Sequence, residues 1–159
     1  MATQLTMSEV TDIIAGLHTG DGVATPIKFA GGVLIPVEGE GFQFVIWLKN
    51  IMNTDFLLTI MDIVDVPPQC EEQYEIEDAI RWISERFFVG GALQDHLTLP
   101  LQGPTFWMRT RFYTEDEVQD DIYLMQVVAQ EARDEIVNIR LGASFLRFDV
   151  SSPTQPDES

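Results

Sequence analysis

The sequence predicts an α+β domain, an antiparallel sheet packed against helices in the order αβββαββα. Apolar residues recur at helical spacing in three separated stretches. They alternate or run together in five shorter ones, and Gly, Pro and Asn punctuate the joins. With 159 residues, 45% of them hydrophobic, the chain suits one domain with its own core. The expected organisation is a single domain over 1–150 and a disordered acidic tail, SSPTQPDES, over 151–159.

The first helix is expected over 8–18, where Val10, Ile13, Ile14 and Leu17 share a face. Thr6 and Glu9 have capping-box spacing, and Gly20 is a stop. The Gly-rich connection GDGVATPIKFAGG lacks the Lys and Ser/Thr of a phosphate loop. VLIPV (33–37) reads as a short strand that Pro36 confines to an edge or a strand end. EGEG (38–41) then turns the chain into FQFVIWLKNI (42–51), with Phe42, Phe44, Ile46 and Leu48 on one side and Val45 and Trp47 on the other. DFLLTIMDIVDV (55–66) is apolar on both faces, as a central strand should be, and Pro67-Pro68 end it.

Residues 71–89 form the central helix, with Ile76, Ile80, Ile83 and Phe87 inward and Gly90-Gly91 as its expected stop. HLTLPL (96–101) and TFWMRTRFY (105–113) are the next strands, with Gly103-Pro104 as the turn between them. Thr114 and Glu117 cap the last helix, and Tyr113 with Val118 take the staple positions. Its inward face runs Val118, Ile122, Met125, Ala129, Ala132, Ile136 and Ile139, widened by Leu124 and Val128, with a stop expected at Gly142. The alternating stretch ASFLRFDV (143–150) is then an additional C-terminal strand, free to pair with a sheet edge.

The charge is the outlying property, with 26 acids against nine Lys and Arg, net −17. Such a chain is repelled by nucleic-acid phosphates and anionic membranes, so its expected partner is a protein, preferably a basic one. Cys70 is alone, which excludes an internal disulfide and a cysteine metal site. MATQLTMSEV lacks a signal-peptide layout, and no run approaches the roughly 18 apolar residues that span a bilayer. The expected location is the cytoplasm.

No catalytic motif is present, and a non-catalytic protein without cofactor or metal is expected. His18 and His96 stand outside any metal spacing, and Cys70 carries no local nucleophile signature. The acids of TEDEVQDD (114–121) are either cation ligands a helical turn apart or a cap with dipole-complementing charges; no calcium-loop glycine is present. Glu71, Glu72, Glu75, Glu77 and Asp78 begin the central helix in the same way. Together the two clusters raise a second reading, an acidic inhibitor or nucleic-acid mimic that occupies a basic groove. Trp107, Arg109, Arg111 and Tyr113 share a strand face rich in interface residue types; the alternative reading makes Trp107 and Tyr113 core and pairs the two arginines with nearby acids. That face serves a structural or assembly protein equally well.

The element order, the length, the acidity and the run ERFFVGGALQDHLTLPL into the last helix resemble type III secretion chaperones and the related YbjN-like sensory-regulator family. The resemblance spans about residues 8–141. It implies a homodimer whose second helix and late strands form the contact, which adds Trp82, Phe87 and Phe88 to the strand face. It also implies an extended or apolar partner segment held by strand addition and apolar pockets. The groove residues expected on that basis are Phe42, Phe44, Trp47 and Leu57.

Overall fold

A computed structural model describes residues 3–17, 25–39, 42–52, 55–62, 72–94 and 103–151, and the side chains at 38–39, 42–43, 94 and 141–151 lie outside that description. The element order is α1 (Met7–Gly16), β1 (Ile27–Phe29), β2 (Gly32–Gly39), β3 (Phe42–Ile51), β4 (Asp55–Asp62), α2 (Gln73–Arg86), β5 (Gly90–Gln94), β6 (Gly103–Thr110) and α3 (Glu115–Ser151). The α+β class holds. The six strands form one antiparallel sheet in the order β1-β2-β3-β4-β6-β5.

Strand alternation divides the sheet into two faces. One carries Ile35, Val37, Phe44, Ile46, Leu48, Phe56, Leu58, Ile60 and Phe106, all buried against the helices. The helices contribute Val10 and Ile14, Ile76, Ile80 and Ile83, and Val118, Ile122, Met125, Ala129, Ala132 and Ile136. These are the faces that the 3.6-residue period picks out. β4 is central, as a strand apolar on both faces should be. β1 pairs only with Gly32–Leu34, so Pro36 falls where β2 has a neighbour on one side only among the described residues.

Four expectations are corrected. Gly90 and Gly91 do not stop α2; they begin β5, and the helix ends at Arg86, with Phe88 taking the left-handed position just past the Phe87 cap (φ 58°). Gly103 and Pro104 are not a turn; they lie in β6, paired with Gln94 and Leu93. Gly142 does not end the last helix, and ASFLRFDV continues it rather than forming a strand, so α3 runs to Ser151. A short β1, closed by a two-residue hairpin through Ala30 and Gly31 at positive φ, adds a strand that the sequence did not announce.

Of the turn expected over 38–41, Glu38 and Gly39 continue β2, and Ser151 of the expected tail ends α3; residues 40–41 and 152–159, the strand expected at 96–101, Gly20 and Pro67-Pro68 lie outside the described residues. No helix of the described chain is long and apolar enough to cross a membrane.

Candidate binding face and aromatic patch

The second face of the sheet follows from the same registers. One cross-strand row runs Ile27, Leu34, Trp47, Thr59, Trp107 and Gly90, from one edge strand to the other. The two tryptophans flank Thr59, and each rests on a glycine. Trp47 covers Gly32, where an added Cβ would lie 2.7 Å from the indole nitrogen, and donates its N–H to the Phe29 carbonyl at 2.9 Å. Trp107 covers Gly90 in the same manner. Thr59 is fully buried between them, and its hydroxyl has no hydrogen-bond partner among the described residues. Met61 and Thr105, in the next row, are buried as well.

The row beyond Trp107 holds Lys49, Leu57 and Arg109. There the sheet ends on Asp55, whose side chain is 11% exposed and is gripped by two arginines. Arg109 donates Nε–H to Asp55 Oδ2 at 2.5 Å and Arg111 donates Nε–H to Oδ1 at 2.6 Å. Arg109 Nη2 also lies 3.8 Å from Met52 Sδ. The Asp55 carboxylate, and after it the Tyr113 hydroxyl, push the Arg111 pKa up and hold that guanidinium charged. Both arginine side chains remain more than half exposed, at 57% and 56%.

The second feature is the end of α2. Phe88 N–H bonds the Glu85 carbonyl at 3.3 Å and Val89 N–H bonds the Ser84 carbonyl at 2.9 Å, the paired bonds of a Schellman cap. Phe88 holds the left-handed position that glycine usually takes there, and it is 93% exposed. Trp82, on the preceding turn of the helix, is 58% exposed. Arg86 lies over the Trp82 ring at 5.3 Å and over Phe87 at 5.0 Å, and its Nη2 reaches Glu131 on α3 at 3.6 Å. Phe87 turns inward and packs against the core.

The expected contact residues thus fall into two sets. Trp107 and Arg109 share the second face of the sheet, Arg111 lies just past the end of β6 on Asp55 with the Tyr113 hydroxyl beside it, and Trp82 and Phe88 belong to the end of α2. The sets meet at Gly90, two residues after Phe88 and beneath Trp107. Phe87 leaves the patch for the core. The expected groove does not assemble: Phe44 is buried on the helix face, while Trp47 and Leu57 lie on the opposite face. Strand alternation separates them, since an even-numbered and an odd-numbered residue of β3 cannot share a side. The Phe42 side chain lies outside the described residues.

The acids of TEDEVQDD are engaged locally. Glu117 accepts from the backbone N–H of Tyr113 and of Thr114 at 2.8 and 2.9 Å, and Thr114 Oγ1 accepts from Glu117 N–H at 3.2 Å. Glu115 accepts from Gln119, and Asp121 accepts from Thr110 at 3.1 Å. Burial, then repulsion from Asp120 and Glu117, hold the Asp121 pKa above the ordinary carboxylate value against the Thr110 hydrogen bond. Among the described residues no three His, Cys, Asp or Glu converge as metal ligands. His18, Cys70, Glu71 and His96 lie outside the described residues.

Two of the surface recesses border α1. One of about 340 Å³ is lined by Asp12, Ile13, Gly16, Leu17, Glu115 and Gln119. Another of about 540 Å³ lies between Met7 and the β1–β2 hairpin, with Phe29, Ala30 and Val33 in its wall. Neither brings together an acid–base pair or a nucleophile with its base. Comparison of the chain with protein-family models, with curated proteins and with solved structures returns no match.

Proposed function

We propose that this chain is a non-catalytic protein-binding module that holds an apolar segment of a basic-flanked partner protein against the Trp82–Phe88 patch. Phe88 carries the reading. A side chain with a Cβ costs about 1–2 kcal/mol in the left-handed region, and glycine avoids that cost at a helix C-terminus. In the isolated chain an aromatic ring 93% exposed returns nothing through burial. A contact made with another molecule does return it, and aromatic anchors of this kind dominate protein interfaces.

The surrounding charge fits the same partner. Glu75, Glu77, Asp78 and Glu85 stand exposed on α2 beside Trp82. They steer a segment whose flanks are basic and repel a nucleic acid. The element order and acidity, which resemble those of secretion chaperones, support an extended occupant, a homodimeric cytoplasmic holder and no chemistry of its own.

A photo-crosslinking amino acid, p-benzoylphenylalanine, placed at position 88 and separately at exposed Tyr123 on α3 tests this in the native host. Adducts to another protein from position 88 and not from 123 are expected. Equal adducts from both sites would sink the proposal. A position-88 adduct to a second copy alone would make the patch a dimer contact instead.

A further inference from the structure

The arginine pair on Asp55 has more charge than its acid requires. One guanidinium neutralises a buried carboxylate; here two converge on it. Among the described residues Asp55 is the one acid that either guanidinium meets. Lys49 shares the row of Arg109 but turns its ammonium over the Trp47 ring at 5.9 Å, so the Asp55 site sets two cations against one carboxylate. The remainder of the chain is dominated by acids, at net −17 overall. The exposed acids Glu75, Glu77, Asp78, Asp116, Glu117 and Asp120 all lie on α2 and α3, the helices that pack on the other face. The two arginines form a small basic cluster at the Asp55 end of the sheet, followed in the chain by the acidic first turns of α3, whose Asp121 accepts from Thr110.

The geometry of the cluster is that of a receptor. Both arginines donate Nε–H to Asp55, one to each carboxylate oxygen, while each side chain stays more than half exposed. A guanidinium has five N–H donors in a rigid fork that matches a carboxylate. Holding the forks in advance removes part of the ordering cost of binding.

We infer that Arg109 and Arg111, positioned by Asp55, form a binding site for a single carboxylate. This deepens the proposed function: the partner segment would carry an acidic side chain or a C-terminal carboxylate in addition to its apolar anchor. Continuity supports the link, because Trp107 shares the strand face of Arg109 and rests on Gly90, two residues from Phe88. From Trp107 to Arg111 the strand direction advances about 13 Å.

The test uses the full chain alone, so it succeeds or fails independently of the Trp82–Phe88 contact. The Nε–H resonances of the arginines are followed in nitrogen-15 spectra during titration with acetyl-Gly-Glu-Gly-amide, its Gln counterpart, acetyl-Gly-Leu with a free C-terminus, and inorganic phosphate, at constant ionic strength. Arg109 and Arg111 should shift together and saturably with a carboxylate peptide, about tenfold more tightly than with the Gln peptide. Arg81 and Arg86 should stay still. Preference between the Glu and C-terminal peptides identifies the source of the carboxylate. R111K, which keeps the charge but loses the fork, should abolish saturation while the remaining spectrum stays folded. Shifts shared by all arginines, unchanged binding in R111K, or tighter binding of phosphate than of either carboxylate peptide would each overturn the inference.

Discussion

Trp107 occupies the space that a side chain at Gly90 would need: a Cβ added there would sit 2.1 Å from the indole nitrogen. Glycine at this position is what lets the ring lie against the edge strand, with Trp107 and Gly90 directly paired in the ladder. Gly90→Ala should therefore destabilise the fold by about 1–3 kcal/mol, the usual range for forcing extra volume into a packed site. Gly16→Ala is the control. Nothing lies within 4 Å of a Cβ there, and the helical position should gain about 0.5–1 kcal/mol. Urea denaturation of the two variants measures both; a Gly90→Ala midpoint equal to wild type would refute the packing argument.

Phe88→Gly should stabilise the isolated protein. The left-handed strain is relieved, the Schellman bonds to Glu85 and Ser84 remain, and no buried contact of the ring is lost. A gain of about 1 kcal/mol corresponds to about 2–4 °C in Tm for a domain of this size. A fall in Tm by calorimetry would mean that the exposed ring contributes to the fold after all.

Arg133 supports the opposite end of β4. Its Nη1 lies 2.7 Å from Asp62 Oδ1, and the Asp62 side chain is fully buried beneath α3. Arg133→Met removes that guanidinium from a buried carboxylate, a change that costs about 3–5 kcal/mol in comparable pairs. Replacing both residues by apolar ones, as in D62L/R133M, should recover much of the loss. A single variant as stable as wild type in equilibrium unfolding would show that other groups compensate the Asp62 charge.

Asp121 gives the pH dependence its sign. Its folded pKa lies above the ordinary carboxylate value, with burial as the main cause. Between the unfolded and folded values the folded state holds more protons, so this group's contribution to stability falls as pH rises through that window. At neutral pH the ionised, half-buried carboxylate opposes folding. Asp121→Asn retains an oxygen for the Thr110 hydroxyl and should raise Tm at pH 7, with the advantage shrinking as pH drops into the acidic range. An advantage constant across pH would show that charge is not its origin.

The elements that sequence alone revealed are those set by neighbours in the chain. Thr6 with Glu9 and Thr114 with Glu117 form their caps across three residues, and both boxes are present. The buried stripe of α3 and the alternation of β3 and β6 likewise depend only on local period. Glycine misled because its freedom serves several purposes. Gly90 and Gly91 give room to Trp107 and Phe106 rather than ending a helix, while Phe88 took the conformation expected of them.

The arginine face was legible as a strand pattern, and pairing of its arginines with acids was an open alternative, but Asp55 as the partner was not legible. Those partners are 54 and 56 residues apart, and only the pairing of β4 with β6 brings them together. The expected groove failed for the complementary reason. It combined Phe44 with Trp47, which alternation along one strand already puts on opposite sides, and only the pairing of β3 with β4 shows that Leu57 lies on the Trp47 side.

The three tryptophans stand at three depths: Trp47 buried, Trp107 half-buried and Trp82 exposed. The unlabelled protein is thereby its own optical gauge. A ligand that covers the end of α2 shields Trp82 from acrylamide and shifts its emission to the blue. One that settles over Arg109 and Arg111 changes the light from Trp107, and Trp47 provides an internal baseline.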